Sequence, residues 1–126
     1  MENNKKVFNE QEVVYSYGLD QAEEDGILFN ISSINNEWQK GVISHITNNL
    51  LSKHNYFDQF GNVHIPCLLD LLNQVNSKLK KAVKDNFYSF KIENLNGEKM
   101  KVFVQLNESE KFTVMLPEDY WNEKNV

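Results

Sequence analysis

Between Tyr88 and Leu116 apolar and polar residues alternate with period two, three times over, and this pattern constrains the fold more than any other. Tyr88, Phe90 and Ile92 share one parity, and Ser89, Lys91 and Glu93 take the other. Met100, Val102, Val104 and Leu106 form a second apolar set; Phe112, Val114 and Leu116 form a third. Successive side chains of a strand point to opposite faces, so each set predicts a strand with one buried face. Short loops join the three, which predicts a three-stranded antiparallel meander.

The register follows from the first loop. A two-residue turn at Asn96-Gly97 would set Ile92 opposite Lys101 and send one apolar set to water. A type I turn over Asn94-Leu95-Asn96-Gly97, closed by a glycine bulge, shifts the pairing by one. Ile92 then faces Met100, Phe90 faces Val102 and Tyr88 faces Val104, so the bulged turn is expected. The second loop, Asn107 to Lys111, closes if Leu106 faces Phe112.

A sheet with one apolar face needs helices to cover it. Pro66 fits only a first helical turn and marks the start of the longest helix, expected to run to about Asp85. Leu68, Leu72, Val75, Leu79 and Val83 form its apolar stripe, widened by Leu69, Leu71 and Ala82. A second main helix is expected from Gly41 to Ser52, where Val42, Ile43, Ile46, Leu50 and Leu51 recur at helical spacing. Before it lie a strand at Val13–Tyr17, a short helix ending near Asp25 with Gly26 as its cap, and a strand at Ile27–Ile31. Trp38 is expected as a core anchor over the Gly41–Ser52 helix. The fold class is therefore α+β: a C-terminal meander packed by two main helices, with N-terminal strands extending or flanking the sheet. Residues 1–12 read as a flexible tail, 13–121 as one domain and 122–126 as a second tail.

Composition narrows the functions. A chain of 126 residues, 40% hydrophobic and 25% charged, is the size and balance of one globular domain. Its net charge of -5 disfavours adherence to nucleic acid or anionic membranes. The basic residues are all lysines; arginine, the bidentate reader of guanine and phosphate, is absent. One cysteine, Cys67, allows no internal disulfide. No signal peptide and no membrane span are read, and a cytoplasmic protein is expected.

No catalytic signature emerges. The dispersed glycines form no phosphate-binding loop, and no G-x-S-x-G elbow occurs. His64 and Cys67 form an H-x-x-C pair, but structural zinc needs four such ligands. No metal or cofactor is therefore expected: His64 reads as a cap or surface residue and Cys67 as a packing residue. The carboxylates Glu23, Glu24, Asp25, Glu118 and Asp119 read as solvated. Lys78, Lys80, Lys81 and Lys84 crowd a helix end, where the dipole favours cations, and form the candidate nucleic-acid contact. Tyr15, Tyr17, Tyr120 and Trp121 lie near element ends and, with Asp25, form the candidate partner-binding set, because Tyr and Trp dominate protein-binding hot spots.

Tyr15-Ser16-Tyr17, Ala22 and Asp25-Gly26-Ile27-Leu28 follow the pattern Y-S-Y-x4-A-x2-D-G-[IV]-L. With Leu68-Leu69-Asp70-Leu71-Leu72 and Met115-Leu116-Pro117-Glu118-Asp119, the chain resembles an uncharacterised family of small phage-, plasmid- and mobile-element-encoded bacterial proteins. Where helices of that family carry Arg and Trp, this chain has Asn, Lys and Leu. The resemblance implies a mobile-element origin and nothing about activity. The leading expectation is a monomer or homodimer that binds a host protein, as an inhibitor of a defence system. The alternatives are a nucleic-acid accessory protein using the Lys78–Lys84 helix end, and an enzyme whose site is not legible.

Overall fold

The computed structural model describes residues 18–124, with side chains through Tyr120. The expected tail at 1–12 and strand at Val13–Tyr17 lie outside the described residues. In chain order the elements are α1 (Leu19–Glu24), β1 (Leu28–Asn30), two 3-10 turns (Ile31–Ser33 and Asn36–Lys40), β2 (Ile43–Thr47), α2 (Asn48–Lys53), α3 (Ile65–Lys81), β3 (Phe87–Glu93), β4 (Lys99–Leu106), β5 (Phe112–Met115) and α4 (Pro117–Lys124). The fold is α+β around one five-stranded mixed sheet of order β1-β2-β5-β4-β3. β2 runs parallel to β5, and every other neighbour pair is antiparallel.

The expected register is the register found. Ile92 faces Met100, Phe90 faces Val102, Tyr88 faces Val104 and Leu106 faces Phe112. Gly97 takes φ +83 at the bulge position, where an L side chain is strained. Gly97 N–H donates to the Asn94 carbonyl at 2.9 Å, and Asn94 Oδ1 accepts from the amides of Asn96 and Glu98.

One row of residues crosses all five strands on the core face: Tyr88, Val104, Val114, Ile46 and Phe29. Leu50 and Leu51 of α2 and Leu68, Leu71 and Val75 of α3 are buried with it. The adjacent row, Phe87, Gln105, Thr113, His45 and Asn30, faces the other way. Two helices partly cover that second face. Glu23 of α1 bonds His45, and the Tyr120 ring of α4 packs on Phe87 and Phe103 at 5.1 and 5.8 Å. Phe103 and Met115, which would invite a homodimer if bare, are thus covered within the chain, and Met115 is buried.

Three expectations need correction. The segment 41–52 is not one helix: Ile43–Thr47 is strand β2, and only Asn48–Lys53 is helical. The cause is a β-bulge. From Ile43 to His45 the chain advances two residues while β5 advances one, from Phe112 to Thr113. The inserted Ser44 shifts the parity, so Ile43 and Ile46 both enter the core at a spacing of three, which imitates a helix. Val42, counted in that stripe, is exposed.

The long helix stops at Lys81, and Ala82 caps it with extended backbone. Tyr88 draws the chain away from the axis: its hydroxyl donates to the Val83 carbonyl at 2.9 Å and accepts from Asp85 N–H. Val83 is consequently 88% exposed rather than part of the stripe. Finally, Trp38 is half-buried in a 3-10 turn at the edge of the core, beside a strand rather than over a helix.

Candidate functional site

The residues singled out for binding do not come together as one site. Tyr120 seals the second sheet face against Phe87 and Phe103. Asp25 ends α1 at the surface, where its carboxylate accepts from Gln21 Nε2 at 3.2 Å. The side chains of Tyr15, Tyr17 and Trp121 lie outside the described residues. Lys78, Lys80 and Lys81 stand exposed on the last turn of α3, with exposed Lys84 in the linker beyond. Among the described residues, the lysines that form ion pairs are Lys40 and Lys53 instead. His64 caps α3 through Nδ1, which accepts from Cys67 N–H at 3.4 Å, and Cys67 is half-buried at the core edge. Among the described residues no cluster of His, Cys, Asp and Glu could hold a metal ion.

A different surface is built by a repeated local device. Asp58, Asn94 and Asn107 each open a turn of the same design. The first residue's N–H donates to the carbonyl four residues on, and its own carbonyl accepts from the amide three residues on. Its side-chain oxygen accepts from the amides two and four residues on. The fourth residue has positive φ: Gly61 at 83°, Gly97 at 83° and Glu110 at 63°. An Asx side chain that takes up two turn amides holds such a loop in one shape. The third position carries Asn96 in one turn and Ser109 in another, both polar. In the first turn it carries Phe60, which is 78% exposed. That turn sits on the isolated bridge between Phe57 and Val63. Immediately after it, Ile65 and Leu69 are part-exposed one turn apart on α3.

The polar second face carries a cleft of about 290 Å³ between α1, β2 and the Asn107–Lys111 loop. His45 lies on its wall with its side chain 4% exposed. His45 Nε2 is 2.6 Å from Glu23 Oε2, and Nδ1 is 2.6 Å from Ser44 Oγ. Asn107 Nδ2 donates to Ser44 Oγ at 2.9 Å and to Thr113 Oγ1 at 3.0 Å. The bulge brings the adjacent Ser44 and His45 within reach of one another, since an extra residue re-aims side chains that a regular strand would separate. Lys111 also lines the cleft, its ammonium bonded to the Gln39 carbonyl. Reading 41–52 as a helix hides this constellation, because it places His45 on an outer helical face. The legible signal was the Ser44-His45 pair within a β-branched run.

A third polar group lies on the core face. Tyr56 is 1% exposed, its hydroxyl has no hydrogen-bond partner, and burial pushes its ionisation upward. Nearby, His54 Nδ1 lies 3.1 Å from Glu98 Oε2, close enough for attraction but poorly aligned for a hydrogen bond. That contact, with the Asn94 amide, holds the exposed Glu98 carboxyl below its ordinary value.

The fold class is thus an α+β domain whose sheet is apolar on one face and carries on the other a polar cleft beside an aromatic cluster. Comparison with known proteins adds no relative: no family model, no curated protein and no solved structure matches the chain.

Proposed function

We propose that this chain is a protein-binding module anchored by Phe60, and that its partner is a host protein of the cell in which a mobile element places it. Inhibition of a defence system is the biological outcome this reading favours. One observation carries it. Of three turns with the same bracing, two present a polar third residue, and one presents a phenylalanine 78% exposed to water. A large apolar side chain on a braced loop loses little conformational freedom on binding, which is what a hot-spot anchor requires. Ile65 and Leu69, following directly in the chain, supply further apolar surface. The acidity and the absence of arginine favour a protein partner over a phosphate polymer.

The test is retention of a partner from nuclease-treated bacterial lysate by tagged full-length chain, wild type against Phe60→Ala. A partner held in near-equal amount by the wild type should bind the variant at least about 30-fold more weakly, the equivalent of a ~2 kcal/mol hot spot. The variant's unfolding midpoint should not move, because Phe60 contributes little to the core. Equal retention by wild type, Phe60→Ala and Phe60→Ala/Leu69→Ala would refute the proposal. Nucleic acid retained from lysate left untreated with nuclease, and lost in Lys80→Glu/Lys81→Glu but not in Phe60→Ala, would favour the nucleic-acid reading.

A further inference from the structure

We propose that Ser44 is an activated nucleophile, and that the cleft beside it accepts a small carboxylic ester and transfers its acyl group through Ser44 to water. This site is separate from the Phe60 turn and does not depend on the binding role.

Glu23 sets the tautomer of His45. An ionised carboxylate can only accept, so the 2.6 Å contact to His45 Nε2 places the imidazole proton on that nitrogen. Nδ1 is then left with a lone pair. Ser44 Oγ, 2.6 Å away, donates its proton to that lone pair. This is the order of a nucleophile, a base and an orienting acid, each within hydrogen-bond reach of the next. The relay has the order of the familiar serine hydrolase triad, with the two ring nitrogens exchanging parts. Asn107 fixes the far side of the hydroxyl: its Nδ2 donates to Ser44 Oγ, and its Oδ1 is held by the amides of Ser109 and Lys111. Ser44 Oγ keeps a second lone pair for attack. Ser44 is half-buried and lines the cleft, whereas His45 is shielded behind it. A cleft of about 290 Å³ falls just below the ~300–1,000 Å³ range of ligand pockets, which limits the substrate to a small ester.

The reaction balances without a redox partner. Ser44 Oγ bonds to the ester carbon as its proton passes to His45 Nδ1, and the carbonyl electron pair moves onto oxygen. Collapse of that adduct breaks the ester bond, and the leaving oxygen takes the proton from His45. Water then attacks the acyl-Ser44 carbon by the same route, releasing the carboxylic acid and restoring Ser44. Glu23 remains a carboxylate throughout. It is a positioning residue that steadies the imidazolium.

The experiment uses full-length protein and p-nitrophenyl acetate, with p-nitrophenolate release followed by absorbance and acetylation mapped by peptide mass spectrometry. The expected result is one acetyl group on Ser44 and turnover that Ser44→Ala lowers at least ~100-fold. Because His45 is buried and its replacement endangers folding, Glu23→Gln tests the relay: kcat should fall tenfold or more while KM stays unchanged. Release as fast from Ser44→Ala as from wild type, or acetyl groups confined to Cys67 and the lysines, overturns the proposal. Full kcat in Glu23→Gln overturns the relay and leaves Glu23–His45–Ser44 as a clasp holding α1 to the sheet.

Discussion

Asp119 joins the start of α4 to that of α2 through Thr47, 72 residues earlier in sequence, and its removal should cost the fold about 3 kcal/mol. Its carboxylate accepts from Thr47 Oγ1 at 2.7 Å, Leu116 N–H at 3.0 Å and Asn49 Nδ2 at 3.0 Å. Thr47 is the N-cap of α2, where its Oγ1 accepts from Leu50 N–H, and it is 5% exposed. Asp119, the third residue of α4, reaches back to the amide that precedes the helix, which is one half of a capping box. In Asp119→Ala the buried Thr47 hydroxyl loses a charged acceptor, at roughly 1.5–3 kcal/mol. The Leu116 amide loses its cap, at about 1 kcal/mol. Exposed Asn49 exchanges its bond for water at little cost. The sum, about 2.5–4 kcal/mol, should lower the urea midpoint by roughly 1–2 M, read by far-ultraviolet circular dichroism. Thr47→Val alone also loses the α2 cap, so a double-mutant cycle isolates the shared bond, with an expected coupling of at least ~1 kcal/mol. A loss below ~1 kcal/mol in Asp119→Ala, or strict additivity with Thr47→Val, would refute the reasoning.

Two further outcomes follow from the turns. Glu110 occupies the left-handed position that Gly61 and Gly97 fill elsewhere, and an L side chain there costs roughly 1–2 kcal/mol. After the entropy that glycine adds to the unfolded chain, Glu110→Gly should still raise stability by up to ~1 kcal/mol, and a lower urea midpoint would contradict this. Glu98 bears on acid sensitivity. Its carboxyl is held below its ordinary value in the folded chain by the His54 imidazole beside it, aided by the Asn94 amide. A depressed carboxyl contributes stability above its unfolded value, and that contribution is lost as the pH falls through the folded value. The difference in urea midpoint between wild type and Glu98→Gln should therefore shrink from about pH 6 to about pH 3, and a constant difference would count against the pairing.

What the sequence made legible was local. The pairings of β3, β4 and β5 follow from period-two alternation and from the turn that Asn94 and Gly97 permit. Both are properties of neighbouring residues. The cap at the end of α1 was legible for the same reason: Gly26 at φ +76 directs its own and the Ile27 amide back to Glu23 and Ala22. The place of β2 was not legible. It sits between β1 and β5, and its parallel partner lies about 70 residues further along the chain. A strand covered on both faces loses the clean alternation that marks β3, and the bulge at Ser44 then gave its apolar residues the spacing of a helix. The candidate site shared that fate. Glu23, the Ser44-His45 pair and Asn107 come from three different segments, and only the closing of the sheet brings them to one cleft. Short-range periodicity determined which residues form strands at the C-terminus and how they pair. Long-range strand order decided where His45 points, because the face a strand presents depends on the neighbour it pairs with, and that neighbour is absent from the local sequence.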